Sequence, residues 1–187
     1  MKTGGGNRKA YLAITTFALP FVTLIVGVAF AEQDRYSLKA PDGIAFSEFR
    51  GYDQWQDVAV SATETGIKAI LANPTMIGAY KEGIPDNGRP FPDGSVIVKI
   101  EWNKAKNPVS PYSVDVPTTL KSVSFIEKNS KRFPDTSGWG YAQILYDPSS
   151  RTFKPYGDDS SFGKNICYKC HTRVQAKDYI FTNYPFR

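Results

Sequence analysis

Apolar and polar positions alternate strictly along "GSVIVKIEW". Val96, Val98, Ile100 and Trp102 fall on one face of an extended strand, with Ile97, Lys99 and Glu101 on the other. "DVAVSAT", "GIKAILAN", "KSVSFIEKN" and "GWGYAQILYD" read as further strands, the last two separated by the polar stretch "SKRFPDTS". "NPTMIGAYKEG" carries helix signals instead: Asn73 as N-cap, Pro74 at the first helical position and Gly83 as the stop. "SSFGKNICYKCHTRV" reads as a terminal helix with Ser160 or Ser161 near its cap. Strands in series with local helices predict one α+β domain dominated by an antiparallel sheet.

The first residues follow another pattern. Lys2, Arg8 and Lys9 precede an uncharged apolar run from Ala10 to Ala31, with small residues at Ala29 and Ala31. That order predicts a secretory signal over 1–31, cleaved before Glu32, and a periplasmic mature domain over 32–187. The run is also long enough to span a bilayer, so an uncleaved inner-membrane anchor is the competing expectation. The whole chain has 23 basic and 18 acidic residues. Loss of Lys2, Arg8 and Lys9 with the signal brings the two nearly level. No basic stripe with interleaved aromatics exists, which argues against a nucleic-acid partner.

Both cysteines and the single histidine of the chain fall within "CYKCH", residues 167–171. In an exported protein a lone cysteine pair is first read as a disulfide. Such a bridge would close a tiny loop and restrict the unfolded chain little. A thioredoxin-like pair belongs early in a βαβ unit, and structural zinc needs four ligands where three donors exist. Each of these readings leaves His171 unused. Cys-x-x-Cys-His is the attachment signature of haem c: Cys167 and Cys170, three apart on a helical turn, bond the porphyrin, and His171 ligates iron. A disulfide beside a surface histidine remains the alternative.

With no second histidine, Met76 is the only methionine of the mature chain able to ligate the opposite side of the iron, as a simple electron carrier would need. Met76, Ile77 and Tyr80 lie at helical spacing, a pattern of core packing. The expectation is therefore an open coordination position that takes a small molecule.

The segments "CYKCHTRVQAKDYIFTNYP", "FPDGSVIVKIEW" and "KNSKRFPDTSGWGYAQ" resemble the cytochrome P-460 family, with the related cytochromes c′-β, from about Tyr52 to the C-terminus. The resemblance implies a periplasmic homodimer with a mainly antiparallel sheet and a five-coordinate haem. It implies as function the oxidation of hydroxylamine or nitric oxide, with electrons passed to a soluble cytochrome. Non-catalytic binding of nitric oxide or carbon monoxide is the alternative. It places Lys99 at the position of a lysine covalently joined to the porphyrin, although alternation with Glu101 alone would read as a solvated strand face. Lys68 stands where hydroxylamine-oxidising relatives have an arginine, and lysine lacks that planar fork of donors. The proton-accepting carboxylate of such relatives falls near "DDSSFGK", where Asp158 and Asp159 also read as ordinary loop acids.

Overall fold

The computed structural model describes residues 33–186 together with Met1, Gly4 and Gly5, so the signal and anchor expectations lie outside the described residues. Among those described, no helix is long and apolar enough to cross a membrane. Six strands form one antiparallel sheet in chain order: β1 (Gln56–Ala62), β2 (Gly66–Ala72), β3 (Val96–Lys106), β4 (Asp115–Lys128), β5 (Trp139–Asp147) and β6 (Thr152–Pro155). Each strand pairs with its sequence neighbour, so short connections suffice. The α+β, sheet-dominated class read from the sequence is the class observed.

Helix α1 (Pro74–Lys81) interrupts the meander between β2 and β3. Asn73 Oδ1 accepts the Met76 N–H at 3.0 Å and the Val96 N–H at 3.1 Å, fixing the start of the helix to the start of β3. Gly83, at φ +84°, takes the left-handed conformation just past its end. Between Glu101 and Lys104 the β3–β4 register shifts, which the strict alternation up to Trp102 did not foretell.

Both faces of the sheet are covered. On one, Val98, Val123, Phe125, Ala142 and Ile144 pack against Ala40, Ile44, Phe46, Phe49 and Tyr52 of the preceding segment. The Phe49 and Phe125 rings stack there at 4.0 Å. On the other, Ile97, Trp139 and Tyr141 meet Met76, Ile77 and Tyr80 of α1 and the C-terminal residues Tyr179 and Ile180. This double coverage explains why Ile97 and Val98, on opposite faces, are both buried. Alternation assigns faces, but here neither face is wet at the start of β3.

The terminal helix differs from the expectation. Its turns are wound as π over Gly163–Tyr168, α over Lys169–His171 and 3-10 over Thr172–Lys177. Neither Ser160 nor Ser161 caps it with a side chain; residue 162 stands at the cap with helical backbone angles, and Ser161 Oγ instead accepts from the Asn165 amide. Widened π turns recur at functional positions.

Close packing sets the first prediction. A Cβ on Gly140 would sit 2.3 Å from the Phe133 ring, whereas one on Gly78 in α1 meets nothing within 4 Å. In urea unfolding, Gly140→Ala is expected to cost about 1–3 kcal/mol. Gly78→Ala is expected to gain roughly 0.5–1 kcal/mol.

Candidate functional site

Strand register decides which polar side chains meet. Directly opposed residues of antiparallel strands share a face. Here Ile70 opposes Lys99, Lys99 opposes Ser124, and Ser124 opposes Gln143. A row of ammonium, hydroxyl and amide therefore crosses the middle of the sheet, on the face opposite Val98. Lys68, two residues before Ile70 on β2, shares that face and opposes Ser61. All five polar residues line one cleft of about 310 Å³. The C-terminal segment contributes Cys167, His171, Ile180, Phe181 and Thr182 to the same cleft.

The fold thus gathers Lys68, Lys99, Cys167 and His171 from the residues singled out in the sequence. Cys170 is exposed and not among the lining residues, and the two cysteines are unbridged. Cys167 ends in the π-wound turn while Cys170 sits in the α turn after it. The widened turn replaces the plain α-helical i, i+3 relation, and the two sulfurs differ in exposure.

His171 has a defined ring orientation. Its Nδ1 lies 2.6 Å from the Tyr179 carbonyl oxygen, which can only accept. The proton is therefore on Nδ1, and Nε2 keeps the lone pair a metal needs. The ring packs between Tyr141 and Phe181, each 4.9 Å away between centroids. Burial lowers the imidazole pKa and Lys99 lowers it further, against the raising effect of the Tyr179 carbonyl. Burial pushes the Cys167 thiol up to about 11, although Lys99 pulls the other way.

Lys99 is not the solvated strand residue its alternation with Glu101 would suggest. Burial, then the neighbouring Lys68 charge, holds its ammonium pKa below the ordinary value, with Glu101 opposing. Glu101 Oε2 lies 3.9 Å from Lys68 Nζ, and Glu101 Oε1 is 2.8 Å from Lys121 Nζ. The pair of cleft lysines therefore has one carboxylate behind it.

The residues fit a covalently held haem. Cys167 and a neutral His171 imidazole with a free Nε2 line the cleft, and Cys170, outside the lining, is the second thiol of the attachment motif. The Tyr141 hydroxyl, on a side chain lining the cleft, is buried and has no hydrogen-bond partner among the described residues. Buried hydroxyls are ordinarily paired, so it stands as a donor for a bound group.

Met76 is fully buried in the core and is not a lining residue of the cleft. Asp158 and Asp159 are exposed and also outside the lining; Asp159 accepts the Ser161 N–H at 2.7 Å. Among the described lining residues there is no carboxylate, and Gln143 and Ser124 occupy the cleft instead. Sequence reading missed both. Their only signal was a polar residue interrupting an apolar strand, and cross-strand register was needed to bring them beside Lys99.

Comparison with known families agrees with the resemblance drawn from the sequence. Residues 49–182 match the family model described as Cytochrome P460. No curated protein matches the chain.

The Lys99 environment yields a pH prediction for the haem-free protein. Below 10.5, the unperturbed value, the unfolded chain holds the lysine proton more firmly than the folded one, so Lys99 costs stability. Lys99→Met should then be the more stable protein at neutral pH. Its advantage should shrink as pH rises from the lowered folded value towards 10.5. Chemical denaturation across pH measures it; a constant difference would mean that Lys99 titrates normally.

Proposed function

The chain belongs to the cytochrome P460 family, and from that premise we propose that it is an exported c-type cytochrome oxidising hydroxylamine or nitric oxide. Cys167 and Cys170 would hold the haem through thioethers, and His171 would ligate through Nε2. When bound, the haem supplies a redox-active iron with a coordination position for the nitrogen substrate. The observation that carries the proposal is the placing of Lys99 in the same cleft as Cys167 and His171. Its lowered pKa favours the neutral amine, the form whose lone pair a bond to the porphyrin requires. Such a bond would distort the macrocycle and tune its chemistry.

The remaining lining residues act on the substrate. Lys68 offers a positive charge for a nitrogen species gaining negative character as its protons leave. Ser124 and Gln143 offer hydrogen bonds to orient it, with Gln143 able to donate and accept. Protons released during oxidation need a carrier to solvent, and electrons would pass to a soluble cytochrome. The working setting in this proposal is a periplasmic homodimer. The N-terminal basic start, apolar run and Ala-Phe-Ala site support export.

One observation favours a second reading. With no carboxylate among the described lining residues, proton removal has no obvious base. A cytochrome c′-β-like protein that binds nitric oxide or carbon monoxide without turnover requires none. The core position of Met76 supports an open coordination site in both readings and disfavours a simple electron carrier.

Protein matured in a periplasm separates them. The enzyme reading expects hydroxylamine-dependent reduction of an added electron acceptor, about 10²-fold slower in kcat for Lys68→Leu. It also expects Lys99→Leu to lose turnover and return the absorption spectrum to that of an ordinary c-type haem. Carbon monoxide binding to ferrous protein, without turnover and with identical wild-type and Lys99→Leu spectra, would leave the carrier. Colourless protein would remove both.

A further inference from the structure

His171 does not orient itself. Its Nδ1–H depends on the Tyr179 carbonyl, and Tyr179 belongs to an unusual turn. Asp178 and Tyr179 both adopt the left-handed conformation, at φ 48° and φ 65°. Two consecutive non-glycine residues there are strained, and persist only where the surroundings hold them.

The surroundings here are a buried ion pair. Lys128, the last residue of β4, places Nζ 2.9 Å from Asp178 Oδ1 and 3.0 Å from Oδ2. The Lys128 and Asp178 side chains are only 7% and 11% exposed. Each charge has its remaining partners. Lys128 also donates to the Ser137 carbonyl at 3.0 Å and lies 4.7 Å over the Trp139 ring. Asp178 Oδ2 also accepts the Phe91 N–H at 2.8 Å. Ser137 Oγ meets the hydroxyls of Tyr168 and Tyr179, each at 2.9 Å. One cluster therefore grips the turn at residues 178 and 179 and the "CYKCH" segment at Tyr168.

We infer that the Lys128–Asp178 pair positions His171 through the Tyr179 carbonyl, setting the orientation and donor strength of the imidazole towards the haem iron. The inference rests on the haem assignment above, though not on the identity of the substrate. Neither residue lines the cleft, so both are positioning residues. A well-aimed acceptor on Nδ1–H makes the imidazole more basic and a stronger ligand, and outer partners of this kind tune bound metals. A stronger donor favours ferric over ferrous iron. Releasing the turn should do the reverse.

The test uses the full chain matured with haem, as wild type, Asp178→Asn, Lys128→Met and Lys128→Arg. Resonance Raman spectroscopy reads the ferrous iron–histidine stretch, and redox titration reads the midpoint potential. Asp178→Asn keeps an oxygen for the Phe91 N–H while removing the charge. It and Lys128→Met should lower the stretching frequency and raise the potential, with the haem still attached. Lys128→Arg, which keeps the charge, should move both back towards wild type. Variants that unfold more easily yet retain the wild-type frequency and potential would overturn the inference, leaving a structural pair only. If Lys128→Met does not accumulate, the near-isosteric Asp178→Asn decides alone by the same two readings. Loss of hydroxylamine turnover as the function would leave both readings unchanged, whereas wild-type protein without covalent haem would end this inference together with the haem assignment.

Discussion

A largely buried ion pair attaches the C-terminal segment to the sheet. After β6 no described residue pairs as a strand, so residues 163–186 have no ladder to hold them in place. Side chains do that work: Lys128 with Asp178, Ser137 with Tyr168 and Tyr179, and the Tyr80 hydroxyl donating to the Thr182 carbonyl. Removing one member of a buried ion pair typically costs about 3–5 kcal/mol, because the other charge is left uncompensated. This attachment holds Tyr168, between Cys167 and His171, and the turn that follows them, while both residues line the cleft.

The sheet supplies the opposite half of the site. Its two faces have separate tasks, since the Phe125 side is a dry aromatic core and the Lys99 side opens into the cleft. Val98, Val123 and Phe125, packed on the other face, anchor the β3 and β4 backbone that carries Lys99 and Ser124. Two lysines on neighbouring strands would repel. Glu101 between Lys68 and Lys121 moderates that repulsion, and burial alone would raise its pKa, yet Lys121 and Lys68 hold it below the ordinary value. The cleft thus combines a positive bias with hydroxyl and amide groups.

Much of this could be read before any coordinates. β3 followed from alternation, the other strands up to β5 from their residue types and the turns between them, and α1 from Asn73, Pro74 and Gly83, while "CYKCH" pointed to a haem through chemistry that is local. The pairing of the whole sheet, β6 and the turns of residues 35–54 were not legible, because short segments without periodicity take their form from what they cover. Gln143, Ser124 and Tyr141 escaped for a related reason: their role depends on cross-strand register and burial. Asp178 looked like one more charged residue of "KDYIFT", and only the fold pairs it with Lys128, fifty residues earlier.

In the proposed function, residues 167–171 hold a haem by both sulfurs. Peptide mass spectrometry of protein matured in a periplasm tests it most directly. One haem is expected on the proteolytic fragment containing Cys167 and Cys170, retained after denaturation and reduction. The same fragment carrying free thiols, or a Cys167–Cys170 disulfide released by reductant, would contradict it.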